Sequence, residues 1–342
     1  MSNANLTTVH PELAPLIAAL PAPPPPGGQV NIAALRAHLK NTFSNAAKQN
    51  FGPFLPSEDA YRVEEFAIPR EGGEVAIRTY IPAAEEGKIF PAMLAIHGGG
   101  FMLGDLDMED YYLRIICVDM QLSIVNIDYR LAPENPYPAA LNDAYDALKW
   151  ISQNATRIQA DLRKGFIVSG KSSGGNLAAA LAHRAKADPA FVNNPLTGQI
   201  LQMPMVCHPS VVPEHLKNKM LSIEECKDAP ILTRDQLLNT YRILQAEPSN
   251  PEISPLLYSS FAELAPAYFQ VCGLDPCRDE ALVYEEQLRQ HGVLTRLDIY
   301  PGAPHGFSAI FGRTELARKW DRDYREGLRW LLSLAPVVRP LA

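Results

Sequence analysis

The 342-residue chain is poor in cysteine, carries no block of basic residues and has no long apolar run. Its five cysteines (Cys117, Cys207, Cys226, Cys272 and Cys277) are odd in number and include no Cys-x-x-Cys pair. Neither a disulfide framework nor a zinc site is expected, and free thiols suit a reducing compartment. Lys and Arg total 31 against 38 Asp and Glu, a net charge of −7. Nucleic-acid binding needs clustered cations to meet phosphates, so that class is excluded. No stretch approaches the roughly 20 apolar residues of a membrane span. The first ten residues lack Lys and Arg, and the apolar stretch 13–20 is broken by Pro15, so a signal peptide is not expected either. These absences predict a soluble, cytoplasmic protein with no stable membrane insertion and no zinc site.

Proline is concentrated rather than scarce. Residues 21–28 read PAPPPPGG, which neither a helix nor a sheet interior accepts, so they form a stiff connector. Before it, Leu13, Leu16, Ile17 and Leu20 recur at helical spacing; after it, Ile32, Leu35, Leu39 and Phe43 do the same. From residue 61 the rhythm turns to period two. Strands are predicted at 63–68, 75–81, 91–96, 123–129, 165–169, 199–206, 267–273 and 294–300. Helices are predicted at 139–154, 176–187, 235–246, 279–291 and 315–334. This alternation predicts an α/β fold on a mostly parallel sheet, with an antiparallel start. The long segment between Cys207 and Pro255 breaks the rhythm and is the candidate lid. A lid rich in Leu, Ile, Phe and Pro implies an apolar pocket, with Phe43, Phe51, Phe54, Leu216, Met220, Ile231 and Leu232 as candidate lining.

Three constellations carry chemistry. Gly170-Lys171-Ser172-Ser173-Gly174 fits Gly-x-Ser-x-Gly, lying between a β-branched run and an Ala-rich helix. Strand, tight turn and helix are what a nucleophile elbow requires. The same stretch, from Gly165, matches the phosphate-loop string, but its intervening Phe166, Ile167, Val168 and Ser169 read as a strand and cannot also wrap phosphates. His97-Gly98-Gly99-Gly100-Phe101 follows a strand, and its bare amides could stabilise an oxyanion together with the Ser173 amide. His97 itself reads as a positioning residue of the pocket rather than the base. Asp275 and His305 follow the last two strands, giving the order Ser172, Asp275, His305 that α/β-hydrolase triads follow. Asp279 and Glu280 compete for the acid role, but their place at a helix start suits the helix dipole.

Together these residues resemble the hormone-sensitive-lipase-like family of α/β-hydrolase carboxylesterases. The motifs are HGGGF (97–101), YRLAPE (129–134), YPAALNDA (137–144), GKSSGGN (170–176), ISPL (253–256), GLDPCRDEA (273–281) and HGF (305–307). The resemblance implies an eight-stranded, mostly parallel sheet flanked by helices, with a helical cap. The cap would comprise residues 1–55 and the insertion 208–252, and the core residues 56–207 and 253–342. It implies Ser172 as nucleophile, His305 as general base, Asp275 as its orienter, and Gly98, Gly99, Gly100 and Ser173 as oxyanion donors. Tyr129, Arg130 and Glu134 become scaffold residues. The implied activity is hydrolysis of short to medium acyl esters without a cofactor, and an edge-strand homodimer is compatible with it. A hydrolase or acyltransferase for a specialised lactone or acylated natural product is the alternative, and a non-catalytic ligand-binding module a remoter one. The chain departs from the family at Lys171, where an acid is usual, and at Ser173, where Ala is usual. Lys171 is expected to pair with a carboxylate; its charge could instead favour acidic or polar substrates.

Overall fold

A computed structural model describes residues 3–20, 32–85 and 87–335, so the proline connector at 21–28 lies outside the described residues. The sheet has eight strands: β1 (Tyr61–Arg70), β2 (Gly73–Pro82), β3 (Ala92–Ile96), β4 (Ser123–Ile127), β5 (Phe166–Lys171), β6 (Gly198–Gln202), β7 (Ala267–Leu274) and β8 (Thr295–Pro304). Their order is β1-β2-β4-β3-β5-β6-β7-β8. β1–β2 and β2–β4 pair antiparallel, and all other pairs are parallel.

The central strands are buried along nearly their whole length and largely apolar, because helices cover both faces. Successive residues point to opposite faces, and this divides the core in two. Leu94, Val168 and Leu201 pack with α4 (Ala139–Asn154), α5 (Ser173–Ala187) and α8 (Arg278–Gln290). Their neighbours Met93, Ile167 and Ile200 pack with α3 (Asp110–Met120) and α10 (Glu315–Leu334). The N-terminal segment contributes α1 (Ala14–Ala18) and α2 (Ile32–Phe51). The insertion contributes α6 (Ser222–Glu225) and α7 (Arg234–Leu244), and α9 (Phe307–Ile310) precedes α10.

Several sequence expectations change. Helix α3 was not foreseen: its aromatic and β-branched residues favour strands, and Glu109 at its N-cap makes no side-chain cap bond. β6 stops at Gln202 rather than continuing to 206, because Met203 turns left-handed (φ 40°) and Pro204 brings no N–H to the ladder. β5, by contrast, runs two residues further than expected, to Lys171, and α5 begins at Ser173. Phe166–Lys171, which include the four intervening residues of the phosphate-loop string, are thus strand.

Both outlying segments are fastened to the sheet layer by arginines. Arg36 of α2 donates to the carbonyls of Met102 (2.7 Å) and Ala132 (2.8 Å) and to both carboxylate oxygens of Glu134. Arg278, fully buried, holds Asp279 and Glu225 and donates to the Gly273 carbonyl. Asp279 in turn accepts the Leu221 and Ser222 amides at the start of α6. No helix among the described residues is long and apolar enough to cross a membrane.

Candidate active site

The β5–α5 turn places Ser172 at φ 54°, ψ −117°, a conformation that costs a non-glycine residue energy and is held by its surroundings. Its amide donates to the Gln202 carbonyl at 2.9 Å. Gly170 is required by close approach: a Cβ there would lie 2.0 Å from the Gly174 carbonyl oxygen. The turn thereby lifts Ser172 clear of the sheet and leaves Ser173 as the first residue of α5, where amides have no intrahelical partner.

The two following strands deliver the other polar groups. His305, just past β8, places Nε2 2.8 Å from Ser172 Oγ. Its Nδ1 lies 2.7 Å from Asp275 Oδ2, just past β7. The other Asp275 oxygen accepts the Cys277 amide at 2.8 Å. Asp275 is 1% and His305 8% exposed, so bulk water barely competes for these bonds. Asp275, Cys277 and His305 also group three metal-ligand types within 4.8 Å, but the acid and imidazole already hydrogen-bond each other.

The competing acids are committed elsewhere. Asp279 holds Arg278 and α6, as above. Glu280 is buried and accepts the Cys207 amide at 2.9 Å, while its Oε1 has no partner. Burial, aided by the nearby Asp275 charge, pushes the Glu280 carboxyl well above the usual carboxylate range. The protonated form is therefore favoured in the fold, and its contribution to stability is lost as pH rises from the ordinary carboxyl range upward. Glu280→Gln removes this proton linkage. The variant should gain stability relative to wild type between pH 5 and pH 8, read as the difference in urea unfolding free energy at the two pH values. A difference that stays constant or reverses would contradict a protonated Glu280.

The glycine loop has an ordered foundation. The His97 ring stacks on Tyr129 (centroids 4.2 Å apart, 14° between planes), and the Tyr129 hydroxyl donates to the His97 carbonyl at 3.0 Å. Burial lowers the proton affinity of His97, so the ring is neutral; its Nδ1–H donates to the Gly98 carbonyl at 2.8 Å. Gly104, at φ +109°, leaves room for this ring: a Cβ would sit 2.1 Å from Nδ1. Gly98 borders the nucleophile, its ideal Cβ position being 3.5 Å from Ser172 Cβ, and Gly100 abuts Thr240 of α7. Among the described residues, no backbone carbonyl takes up the amides of Gly98, Gly99 or Gly100.

Ser172 and His305 open into a cavity of about 1740 Å³ between the sheet layer, the N-terminal segment and the insertion. Of the sequence-predicted lining, Phe51, Phe54, Ile231 and Leu232 face it. Leu216 does not: it is 5% exposed and packs into the main core. Met220 packs against that same cluster, and His97 lies beneath the glycine loop rather than in the pocket. Phe43 lies on α2, with its side chain outside the described ones. Sequence reading missed Met203, Met205, Tyr112 and Glu109, which also line the cavity. Lys171 pairs with Glu109 at 2.6 Å, and its Nζ lies 5.2 Å from the Tyr112 ring centre. No sequence pattern marks a partner 62 residues away on an unforeseen helix cap.

Residues 93–309 match the family model described as the alpha/beta hydrolase fold. A versiconal hemiacetal acetate esterase of Dothistroma septosporum is 34% identical over 261 residues, 76% of this chain and 78% of that protein. Esterase LipI of Mycobacterium tuberculosis is 34% identical over 266 residues, 76% of this chain and 79% of its own. The crystal structure of vibralactone cyclase superposes with a TM-score of 0.94 at 43% identity, covering 97% of both chains. The chain belongs to the α/β-hydrolase family, in its hormone-sensitive-lipase-like group of carboxylesterases.

Proposed function

We propose that the chain is a serine carboxylesterase acting through an acyl-enzyme, with Ser172 as nucleophile, His305 as base and Asp275 as orienter. The observation that carries this reading is the hydrogen-bond chain from Ser172 Oγ through His305 to buried Asp275, opening into a cavity of about 1740 Å³. Ser172 attacks the ester carbonyl as His305 Nε2 takes its proton. The carbonyl oxygen becomes an oxyanion, met by the amides of Ser173 and of Gly98, Gly99 and Gly100. His305 then protonates the leaving alcohol, and water activated by the same imidazole releases the acid. Asp275 keeps the proton of the neutral ring on Nδ1, leaving Nε2 free to accept. The N-terminal segment and the insertion 208–252 act as a cap that shields the acyl-enzyme, and its apolar lining suits short to medium acyl chains.

A second reading is favoured by the 43% identity to vibralactone cyclase across nearly the whole chain. Here the acceptor for the acyl group is a hydroxyl on the substrate itself instead of water, and the product is a lactone. The versiconal hemiacetal acetate esterase likeness points to acylated natural products as a further substrate class.

The test is a panel of p-nitrophenyl esters from acetate to laurate, with fluorophosphonate labelling mapped by mass spectrometry. We expect turnover with a chain-length optimum and label on Ser172. Label elsewhere would remove Ser172 from the nucleophile's role. Label on Ser172 without turnover on any ester would favour the second reading.

A further inference from the structure

The cavity wall is chemically divided. Ile231, Leu232, Leu237 and Ile243 of the insertion, with Met203 and Met205, make an apolar stretch. Another stretch comes from Lys171, α3 and α10, and is charged. Arg318, Arg322 and Arg325 recur at i, i+4 and i+7, so they share one face of α10. Arg313 precedes that helix, and all four arginines line the cavity.

The acids on this stretch are already taken. Glu109 is held by Lys171, and Asp119 and Asp321 by Arg325. Arg318 is paired with Glu315. Among the described residues Arg322 makes no ion pair, and the one hydrogen bond from Arg313 goes to the Gln49 carbonyl at 3.3 Å. Over the whole cavity lining, five cations (Lys171 and the four arginines) face four acids (Glu109, Asp119, Asp228 and Asp321), and among the described residues Arg313 and Arg322 are the lining cations without an ion pair. The chain as a whole has a net charge of −7. Arg313 and Arg322, exposed at the rim of the cavity and without an ion pair among the described residues, set a local positive charge against the sign of the molecule, which attracts and orients anions.

We propose that the preferred substrate is an amphiphilic ester or lactone bearing a carboxylate remote from the reacting carbonyl. Arg313 and Arg322 receive the carboxylate, and the insertion receives the apolar part. This substrate class rests on the esterase reading of the same cavity.

The test compares two esters matched in length: the mono-p-nitrophenyl ester of suberic acid, anionic at its far end, and p-nitrophenyl octanoate. At low ionic strength, wild type should show kcat/KM about tenfold or more in favour of the anionic ester, as a charge-assisted hydrogen bond supplies. About 0.5 M salt should compress that ratio, since exposed charges are screened. Arg313→Glu combined with Arg322→Glu should bring it to one or below. The ratio cancels any general loss of activity in the variant. A wild-type ratio at or below one, or a ratio that neither salt nor charge reversal moves, overturns the proposal. Calorimetry on Ser172→Ala with suberic acid monomethyl ester and with methyl octanoate reads the same preference without turnover. If neither p-nitrophenyl ester is hydrolysed, the esterase reading fails while the binding arm still decides the charge preference: tighter binding of the anion supports it, and equal or weaker binding overturns it.

Discussion

Ser172→Ala is expected to lower kcat on the best p-nitrophenyl ester by at least about 10³-fold, with the unfolding midpoint close to wild type. The hydroxyl faces the cavity, so its removal opens no void in the core. It ends one hydrogen bond, to His305 Nε2. Alanine retains the backbone position at φ 54°, so the turn and the amide of Ser173 stay where they are. The residual rate would be water attack on an ester polarised by the glycine-loop amides. The measurement is steady-state turnover beside circular dichroism of both proteins. Undiminished turnover by a folded variant would show that another group attacks the ester.

Asp275→Asn is expected to cost about 10⁴-fold in kcat, with KM changed far less. The substitution keeps the shape and removes the charge. The amide nitrogen now facing His305 Nδ1 donates instead of accepting. The imidazole responds by moving its proton to Nε2, where it can no longer accept from Ser172. No neighbouring acid can substitute. Asp279 is bound to Arg278 and the start of α6, and Glu280 is favoured in its protonated form and bonded to the Cys207 amide. Single-turnover kinetics on the folded variant reads the acylation step directly. A loss under tenfold would remove Asp275 from the orienting role.

The elbow was legible because its chemistry is local. Gly170 must admit the Gly174 carbonyl, the strand before Ser172 must be apolar, and the helix after it must start at once; all three leave a mark within twenty residues. Asp275 and His305 were legible for a related reason, since each directly follows an apolar strand. The cavity was not legible in this way. Leu216 and Leu232 are the same residue type, sixteen positions apart in one insertion, yet the first is buried in the core and the second faces the cavity. Only the tertiary path of the insertion separates them. The partners of Lys171 were hidden likewise, because Glu109 and Tyr112 reach it through a helix that the sequence pattern did not mark.

The grip of Arg36 also bears on how this chain can be re-engineered. Its guanidinium is the donor for the carbonyls of Met102 and Ala132, one on the segment that follows the glycine loop and one in the YRLAPE stretch. The roof and the floor of the cavity are therefore not separable modules. Trimming the N-terminus past this residue, or exchanging it for a relative's, would leave two carbonyls and Glu134 without their shared cation. A chimera that keeps the floor in register must import an arginine at that helix position along with the new roof.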